Sequence, residues 1–273
     1  MRNIQYHIRQ LREEGLTIIP DVYAREQCDD FIGRARAIFN SLMENGSKLI
    51  NSDNQFIANP FRYDLKFLDI LYHDFLDEIL KVLLDEDYVM LSSTVLNRKK
   101  ISQVVSGYQA LGADWHTDSR YLDGGKRLEQ GFSYISLILL NDFKEENGAT
   151  HFVPGSLKSR QRPQRDGNYE YIVAEAKAGS MVLFDTGMWH RAGPSSSEDR
   201  WSVTTHYAPW FIKPYYRFPE MLMQEYGEEF VRSLTSVQRR LLHFNSIPPI
   251  NEDERFSTLI KQGQHPFDKP EEQ

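Results

Sequence analysis

Hydrophobic positions recur at helical spacing through the first third of the chain. Ile4, Ile8 and Leu11 lie about one turn apart, and Gly15 follows them as a stop signal. The short apolar run at 16–20 predicts a strand. Apolar residues from Cys28 to Leu42 recur every 3.6 residues and predict a second helix. A further set predicts an amphipathic helix with Leu68, Leu71, Phe75, Ile79 and Val82 on its buried face. Between them, residues 45–64 are rich in Asn, Ser, Gly and Asp and contain Pro60, which predicts a loop.

After Tyr88 the helical period gives way to short β-branched and aromatic runs separated by turn signals. These runs predict an antiparallel sandwich or barrel with strands at 89–96, 104–109, 132–140, 171–174, 180–184 and 201–208. A helical segment follows at about 220–242. We therefore predict one domain over 1–273, with a helical N-terminal part at about 1–87, a β core at about 88–212 and a helical C-terminal tail at about 213–273.

Composition narrows the class of protein. Hydrophobic residues make up 40% of the 273 positions, which is enough for a sizeable core. The net charge of −7 argues against a general nucleic-acid binder. No apolar run reaches the roughly 20 residues that a membrane span needs, and the first 21 residues carry charges throughout, without the apolar segment of a secretory signal. We expect a soluble, cytoplasmic protein that binds neither nucleic acid nor membrane.

Because Cys28 is the single cysteine, metal chemistry must rely on His, Asp and Glu. His116 and Asp118 are two residues apart, and in an extended segment such residues project to the same side. They can therefore offer an imidazole nitrogen and a carboxylate oxygen to one ion. Taken alone the pair is a weak signal, because a His–Asp pair is more often a surface hydrogen bond.

A second histidine strengthens this interpretation. His190 opens a segment after a strand and a turn at 185–187. Two histidines and one carboxylate on neighbouring strands are the ligands of non-haem Fe(II) oxygenases, and they leave three coordination positions open. Ten residues further on, Arg200 and Ser202 share one face of a strand and suit the distal carboxyl group of a dicarboxylate. The alternative for Arg200 is a surface arginine in an acidic stretch.

Taken in order, these segments resemble the phytanoyl-CoA dioxygenase-like branch of the Fe(II)/2-oxoglutarate oxygenases. The resemblance spans about 13–211 and rests on several short motifs rather than on one. They are EGLTIIPD at 14–21 before a helix, His116-Thr117-Asp118 after an aromatic residue, Asn141-Asp142, Asn147-Gly148-Ala149, VPGS at 153–156, AGSMVLFD at 178–185, His190, and an arginine ten residues later. One departure is Leu157, which stands where many relatives have His after PGS.

The resemblance implies a double-stranded β-helix, which is a cupin-like jelly roll with flanking helices and iron between its sheets. It implies His116, Asp118 and His190 as ligands of Fe(II), with Arg200 and Ser202 binding 2-oxoglutarate. The implied reaction uses O2, hydroxylates or otherwise oxidises an unactivated C–H bond of a small molecule, and releases succinate and CO2. The carboxylate of Asp118 occupies the position where halogenating relatives carry a small residue, which favours hydroxylation or another oxidation.

Residues near these motifs are candidates for substrate contact. Those around the His–Asp pair are Tyr108, Gln109, Trp115 and Arg120, and the remaining histidines of the β region are His151 and His206. For each of them the alternative is a structural role in packing or hydrogen bonding. The basic stretch 158–165 is interpreted as a loop at the rim of the barrel, although it can also face an anionic substrate.

Two other functions stay open. A cupin-like metal enzyme can use the same ligands without 2-oxoglutarate, but it has no need of Arg200 and Ser202. A non-catalytic jelly-roll module would need none of the metal-ligating residues. The sequence identifies neither the primary substrate nor the oligomeric state.

Overall fold

A computed structural model describes residues 3–45, 54–99, 113–119, 132–159, 161–194, 198–245 and 252–253. Three helices and two strands form the N-terminal part: α1 (Ile4–Glu13), β1 (Leu16–Ile19), α2 (Arg25–Glu44), β2 (Asn54–Ala58) and α3 (Asp74–Leu84). The apolar stripes of α1 and α2 are buried as predicted, from Ile8 and Leu11 through Cys28 to Phe39. These helices therefore lie with their apolar faces on the β core.

Two predictions for this part are wrong in detail. The segment 45–64 is not a loop throughout, because it contains β2, which pairs antiparallel with a later strand, and a short 3₁₀ helix at Pro60–Arg62. The third helix begins at Asp74, so Leu68 and Leu71 precede it, and Val82 is 50% exposed instead of buried. The buried face of α3 is formed by Leu76, Ile79 and Leu80.

The β core consists of β3 (Val89–Arg98), β4 (Tyr134–Leu139), β5 (Thr150–Phe152), β6 (Ile172–Val173), β7 (Met181–Asp185), β8 (His190–Ala192) and β9 (Arg200–Ala208). Within the described part of the chain, six strands form one antiparallel sheet in the order β1-β7-β4-β9-β3-β2. Three form a smaller sheet in the order β6-β5-β8. The two sheets give the double-stranded β-helix, so the predicted fold is confirmed. The strand predicted at 104–109 lies outside the described residues.

Two hydrophobic clusters separate the layers. The larger one fills the space between the helices and the six-stranded sheet, and it includes Phe39 of α2, Ile79 of α3 and Trp201 of β9. The smaller one lies between the sheets and includes Leu137, Phe152 and Phe184. Strands β4, β7 and β9 therefore have one side against the helices and the other side facing the smaller sheet.

Up to residue 245, the described C-terminal part contains two helices, α4 (Phe218–Ser233) and α5 (Ser236–Leu241), where one helical segment was predicted. A kink at Gly227, whose φ is +75°, interrupts α4, and Thr235 caps the start of α5. Among the described residues, none of the helices has both the length and the apolar character that crossing a membrane requires.

Candidate metal and cosubstrate site

His116 and His190 lie directly opposite each other in the backbone. They form an isolated antiparallel bridge in which each residue's N–H donates to the other's carbonyl at 3.0 Å. The two imidazole centroids are 4.3 Å apart. Because the pairing fixes both backbones, the two rings are held side by side before any ion binds.

Asp118 is fixed by the turn that follows β7. Its backbone N–H donates to the carbonyl of Thr186 at 2.9 Å. One carboxylate oxygen lies 3.3 Å from Nε2 of His190, and the other lies 4.0 Å from Nε2 of His116. One ligand atom from each of the three residues lies within 4.8 Å of the others, which is a compact group of two nitrogens and one oxygen. The structure thus brings together the three residues that the sequence singled out.

Backbone carbonyl groups orient both imidazole rings. Nδ1 of His116 lies 2.7 Å from the carbonyl oxygen of Asp114, and Nδ1 of His190 lies 2.9 Å from that of Met188. A carbonyl oxygen only accepts, so each Nδ1 carries a proton and donates it. Nε2 of each ring is then the nitrogen that faces Asp118, and in the neutral form of the ring it carries the lone pair that a metal ligand needs. The sequence did not reveal these partners, because a backbone carbonyl has no residue signature.

The charges in this group favour a cation. Burial and the nearby His190 lower the pKa of His116, which keeps its ring neutral. Burial opposes the charge on Asp118, but the surrounding histidines outweigh it and hold the pKa of that carboxyl group well below its usual range. Burial likewise opposes a charge on His190, yet the Asp118 carboxylate prevails and raises its pKa. The ionised Asp118 carboxylate therefore stabilises a positive charge beside it. A protonated histidine can supply that charge, and a bound metal ion can supply it instead.

Arg200 is a buried cation at the other end of the same cavity. Its side chain is 3% exposed, its Nη1 donates to the carbonyl of Gly148, and its guanidinium lies 4.6 Å from the ring centroid of Phe143. Among the described residues, no group accepts a hydrogen bond from its Nε or pairs with the hydroxyl of Ser202. Both residues line the cavity. A buried cation beside an unpaired hydroxyl suits a carboxylate.

Gly148 makes this arrangement possible. Its φ is +81°, and a Cβ at this position would lie 2.6 Å from the carbonyl oxygen of Gly193. Only glycine therefore allows the turn at 147–149 to bring a carbonyl group to Arg200. This gives a physical reason for the glycine of the Asn147-Gly148-Ala149 motif.

Arg98 was missed by the sequence analysis. It ends β3, directly opposite Arg200 in the register, and it is 2% exposed. Burial, followed by the charge of Arg98, lowers the pKa of Arg200, so the second cation makes the charge on Arg200 less favourable. An anion bound at Arg200 would relieve this repulsion. The sequence did contain a signal for Arg98. It lies two residues past the predicted end of the strand at 89–96, and residues two apart in a strand share a face.

A cavity of about 590 Å³ joins the histidine–aspartate group to Arg200. Its walls carry a run of apolar side chains, which are Phe56, Leu96, Ile135, Leu137 and Phe184. Besides Ser202, three threonine hydroxyl groups line it, from Thr94, Thr150 and Thr204. The cavity therefore offers polar groups at defined points in a largely apolar enclosure.

The candidates for substrate contact are distributed unevenly. Trp115 lines the main cavity and is 2% exposed, and His206 lines a smaller adjoining chamber. His151 is absent from the described lining of the cavity; its ring stacks on Tyr171 at 4.2 Å, and the preceding residue, Thr150, faces the cavity instead. Tyr108, Gln109 and Arg120 lie outside the described residues.

The basic stretch reaches the rim of the cavity. Arg165 lines it, and the carbonyl of Arg165 accepts from the backbone N–H of Trp115 at 3.1 Å. The indole of Trp189 donates to the carbonyl of Gln161 at 2.9 Å. Tyr169 packs against both tryptophans, with centroid distances of 5.7 and 5.0 Å. This loop is therefore attached to the residue that precedes each of the two histidines.

Comparison with known proteins agrees with this geometry. The family model for phytanoyl-CoA dioxygenase matches residues 11–202. The chain is 25% identical to dioxygenase hkm4 of Aspergillus hancockii, over 96% of this chain and 91% of that protein. Its fold is similar to that of HygX from Streptomyces hygroscopicus with nickel and 2-oxoglutarate bound (TM-score 0.60, 16% identity, 78% of this chain and 89% of that one). It is also similar to that of SnoK, an α-ketoglutarate-dependent carbocyclase of nogalamycin biosynthesis (TM-score 0.56, 17% identity, 75% and 83%).

Proposed function

The chain belongs to the phytanoyl-CoA dioxygenase family, and from this premise we propose that it oxidises a C–H bond of a small molecule with Fe(II), 2-oxoglutarate and O2. The observation that carries the proposal is a single cavity with a His–Asp–His group at one place and the buried Arg200 at another. Succinate and CO2 are the expected co-products.

Three residues are assigned to the metal. His116, His190 and Asp118 present two imidazole nitrogens and one carboxylate, which is the donor set that non-haem Fe(II) takes with positions left open. Their Nδ1 contacts fix the tautomer, and the backbone pairing fixes the ring positions. The bound iron supplies the activation of O2 that is coupled to decarboxylation of 2-oxoglutarate. The chain's own contribution is to hold the ligands ready and keep bulk water away.

Two residues are assigned to 2-oxoglutarate. The guanidinium of Arg200 would bind its distal carboxylate, and the hydroxyl of Ser202 would donate to the same group. The charge of Arg98, which lowers the pKa of Arg200, also favours an anion beside Arg200. A cupin-like enzyme without this cosubstrate would leave the buried Arg200 without an anion, which disfavours that alternative.

The apolar walls determine what else the cavity accepts. Ile135, Leu137 and Phe184 can contact the carbon skeleton of a substrate and exclude water from the metal ligands. HygX has been seen with hygromycin B bound, and SnoN, another protein of similar fold, with nogalamycin RO. We propose that this chain likewise acts on a small organic molecule. Such a site can support hydroxylation, desaturation, ring closure or epimerisation.

The test is an anaerobic titration of 2-oxoglutarate into protein that contains Fe(II). The wild type should develop the weak visible charge-transfer band of the iron–2-oxoglutarate chelate. His116→Ala should give no band, and Arg200→Met should need about a hundredfold more 2-oxoglutarate, because a buried charge pair costs about 2–5 kcal/mol to break.

Matched controls separate these effects from general damage. His73→Asn keeps the hydrogen-bond acceptor at the start of α3, and Arg217→Gln changes an exposed arginine in an ion pair with Glu220. Both variants should titrate like the wild type. An iron-loaded wild type without the band would contradict the cosubstrate assignment, and failure to bind iron would contradict the metal centre itself.

A further inference from the structure

A second chamber adjoins the metal-binding group on the side away from Arg200. It has a volume of about 180 Å³ and is lined by Ser92, Asp118, Ile135, Thr204, His206 and Tyr215. Three of these residues, Asp118, Ile135 and Thr204, also line the main cavity. The chamber is therefore a side pocket of the same space and touches a proposed metal ligand.

The chamber and the cosubstrate end of the main cavity lie at opposite ends of strand β9. Arg200, Ser202, Thr204 and His206 alternate along one face of the strand, and the first three line the main cavity while His206 lines the chamber. Six residues of strand span roughly 20 Å at about 3.3 Å per residue. A dicarboxylate anchored at Arg200 therefore leaves the chamber free for another group.

The chamber is polar and about the size of one ring. Its hydrogen-bonding groups are the Asp118 carboxylate, the hydroxyls of Ser92, Thr204 and Tyr215, and the imidazole of His206, whose Nδ1 lies 3.4 Å from the Tyr215 hydroxyl. A cavity of about 150 Å³ holds benzene when its walls are apolar. This chamber is slightly larger, and Ile135 is its one apolar side chain among the described lining residues.

We propose that the chamber binds an oxygen-substituted six-membered ring of the substrate. The hydroxyl or keto group of the ring is held by Tyr215, His206 and Thr204, and the ring carbons lie beside Asp118. This inference rests on the proposed function and names the substrate class that the site takes. A ring that lacks the oxygen cannot form these hydrogen bonds, so the chamber should bind it more weakly than a ring that carries one.

Tyr215 also connects the chamber to the surface. Its side chain is 42% exposed, and its backbone N–H donates to the carbonyl of Leu91 at 3.2 Å. A substrate whose ring enters the chamber can therefore extend past Tyr215 to the surface.

The experiment compares two probes that differ by one hydroxyl group, cyclohexanol and cyclohexane. Binding is measured by ligand-observed NMR on protein loaded with 2-oxoglutarate and Zn(II), a diamagnetic replacement for iron. The wild type should bind cyclohexanol at least tenfold more tightly than cyclohexane. Tyr215→Phe and Thr204→Val, which preserve shape, should each reduce this preference to below threefold. Tyr216→Phe, a change in the adjacent tyrosine that does not line the chamber, should leave it unchanged.

Each result decides between outcomes. Equal binding of the two probes to the wild type, or a preference that survives both variants, would overturn the inference and leave a chamber that holds only water. The affinity for 2-oxoglutarate, measured in the same samples, tests the proposed function separately. Normal 2-oxoglutarate binding without a preference for cyclohexanol refutes the chamber alone. A preference for cyclohexanol without 2-oxoglutarate binding supports the chamber and refutes the cosubstrate assignment.

Discussion

The two faces of β9 are built in opposite ways. On one face, Trp201, Val203 and Tyr207 are buried in the cluster between the six-stranded sheet and the helices. On the other face, Arg200 and Ser202 are just as buried, yet they line the cavity. One strand of nine residues thus serves two environments with equal burial and different chemistry.

The difference shows which face contributes to stability and which to binding. A buried polar group without a partner costs about 1–3 kcal/mol, and more if it is charged. Among the described residues, Nε of Arg200 and the hydroxyl of Ser202 lack partners on the cavity face. On the helix face the indole N–H of Trp201 also lacks one within the described part of the chain, but the Tyr207 hydroxyl donates to the carbonyl of Leu71 at 2.8 Å. The cavity face therefore reduces stability until a ligand binds, and the helix face offsets that cost.

The largest expected effect comes from the helix face. Trp201 is 3% exposed and packs beside Phe39 of α2, with ring centroids 5.9 Å apart. Trp201→Ala should lower the free energy of unfolding by about 3–5 kcal/mol, because it removes a large buried side chain and leaves a cavity. Urea denaturation measures this loss. The affinity of the folded variant for 2-oxoglutarate should stay within about threefold of wild type.

The adjacent residue should show the reverse. Arg200→Met should weaken 2-oxoglutarate binding by about a hundredfold, since it removes the buried partner of a carboxylate. Without 2-oxoglutarate, the free energy of unfolding should be unchanged or higher, because an apolar side chain replaces a buried cation beside Arg98. Denaturation with and without 2-oxoglutarate measures both quantities. A variant that is destabilised by more than about 2 kcal/mol and binds 2-oxoglutarate normally would make Arg200 a structural residue.

The sequence predicted elements with strong local periodicity and missed those that depend on distant partners. The stripe of α2 and the alternation in β9 follow from neighbouring residues alone, so both elements were predicted. Strand β2 has polar flanks and Pro60 directly beyond Asn59, and it forms only because β3 pairs with it. Local composition therefore indicated a loop where a distant strand completes the sheet.

The candidate site divides in the same way. Spacing was enough to select His116, Asp118 and His190, which the structure brings together, while their role as iron ligands stays a proposal. The phase of a three-residue strand was not predictable, so His151 was chosen where Thr150 lines the cavity. The carbonyl groups that orient the two imidazole rings belong to the backbone, which no residue type reveals.

Strand β5 extends the comparison to the smaller sheet and to pH. Thr150 faces the cavity, whereas His151 lies beside Tyr171 and its Nδ1 accepts from Arg191 at 3.4 Å. Burial, followed by the charges of Arg191, Arg200 and Arg98, lowers the pKa of His151 to about 4. The unfolded chain, with a histidine pKa of about 6.5, then binds more protons than the folded one between these values, so acidification favours unfolding.

We expect this histidine to account for about 2 kcal/mol of the stability that the wild type loses between pH 7 and pH 4.5. His151→Gln does not titrate and should lose that much less over the same interval, whatever its stability at pH 7. Urea denaturation at the two pH values gives the difference. Identical pH dependence in the two proteins would show that His151 is protonated equally in the folded and unfolded states.

The smallest expected effect tests a single hydrogen bond on the helix face. Tyr207→Phe removes the hydroxyl that donates to Leu71 while keeping the ring, which packs against Tyr88 with centroids 5.8 Å apart. The free energy of unfolding should fall by about 1 kcal/mol, the net contribution of a buried hydrogen bond plus part of the cost of an unpaired carbonyl. Binding of 2-oxoglutarate and of cyclohexanol should both be unchanged, because the side chain points away from the cavity. If either affinity fell more than threefold, the two faces of β9 would be coupled through the strand, and stability and binding would not be separable residue by residue.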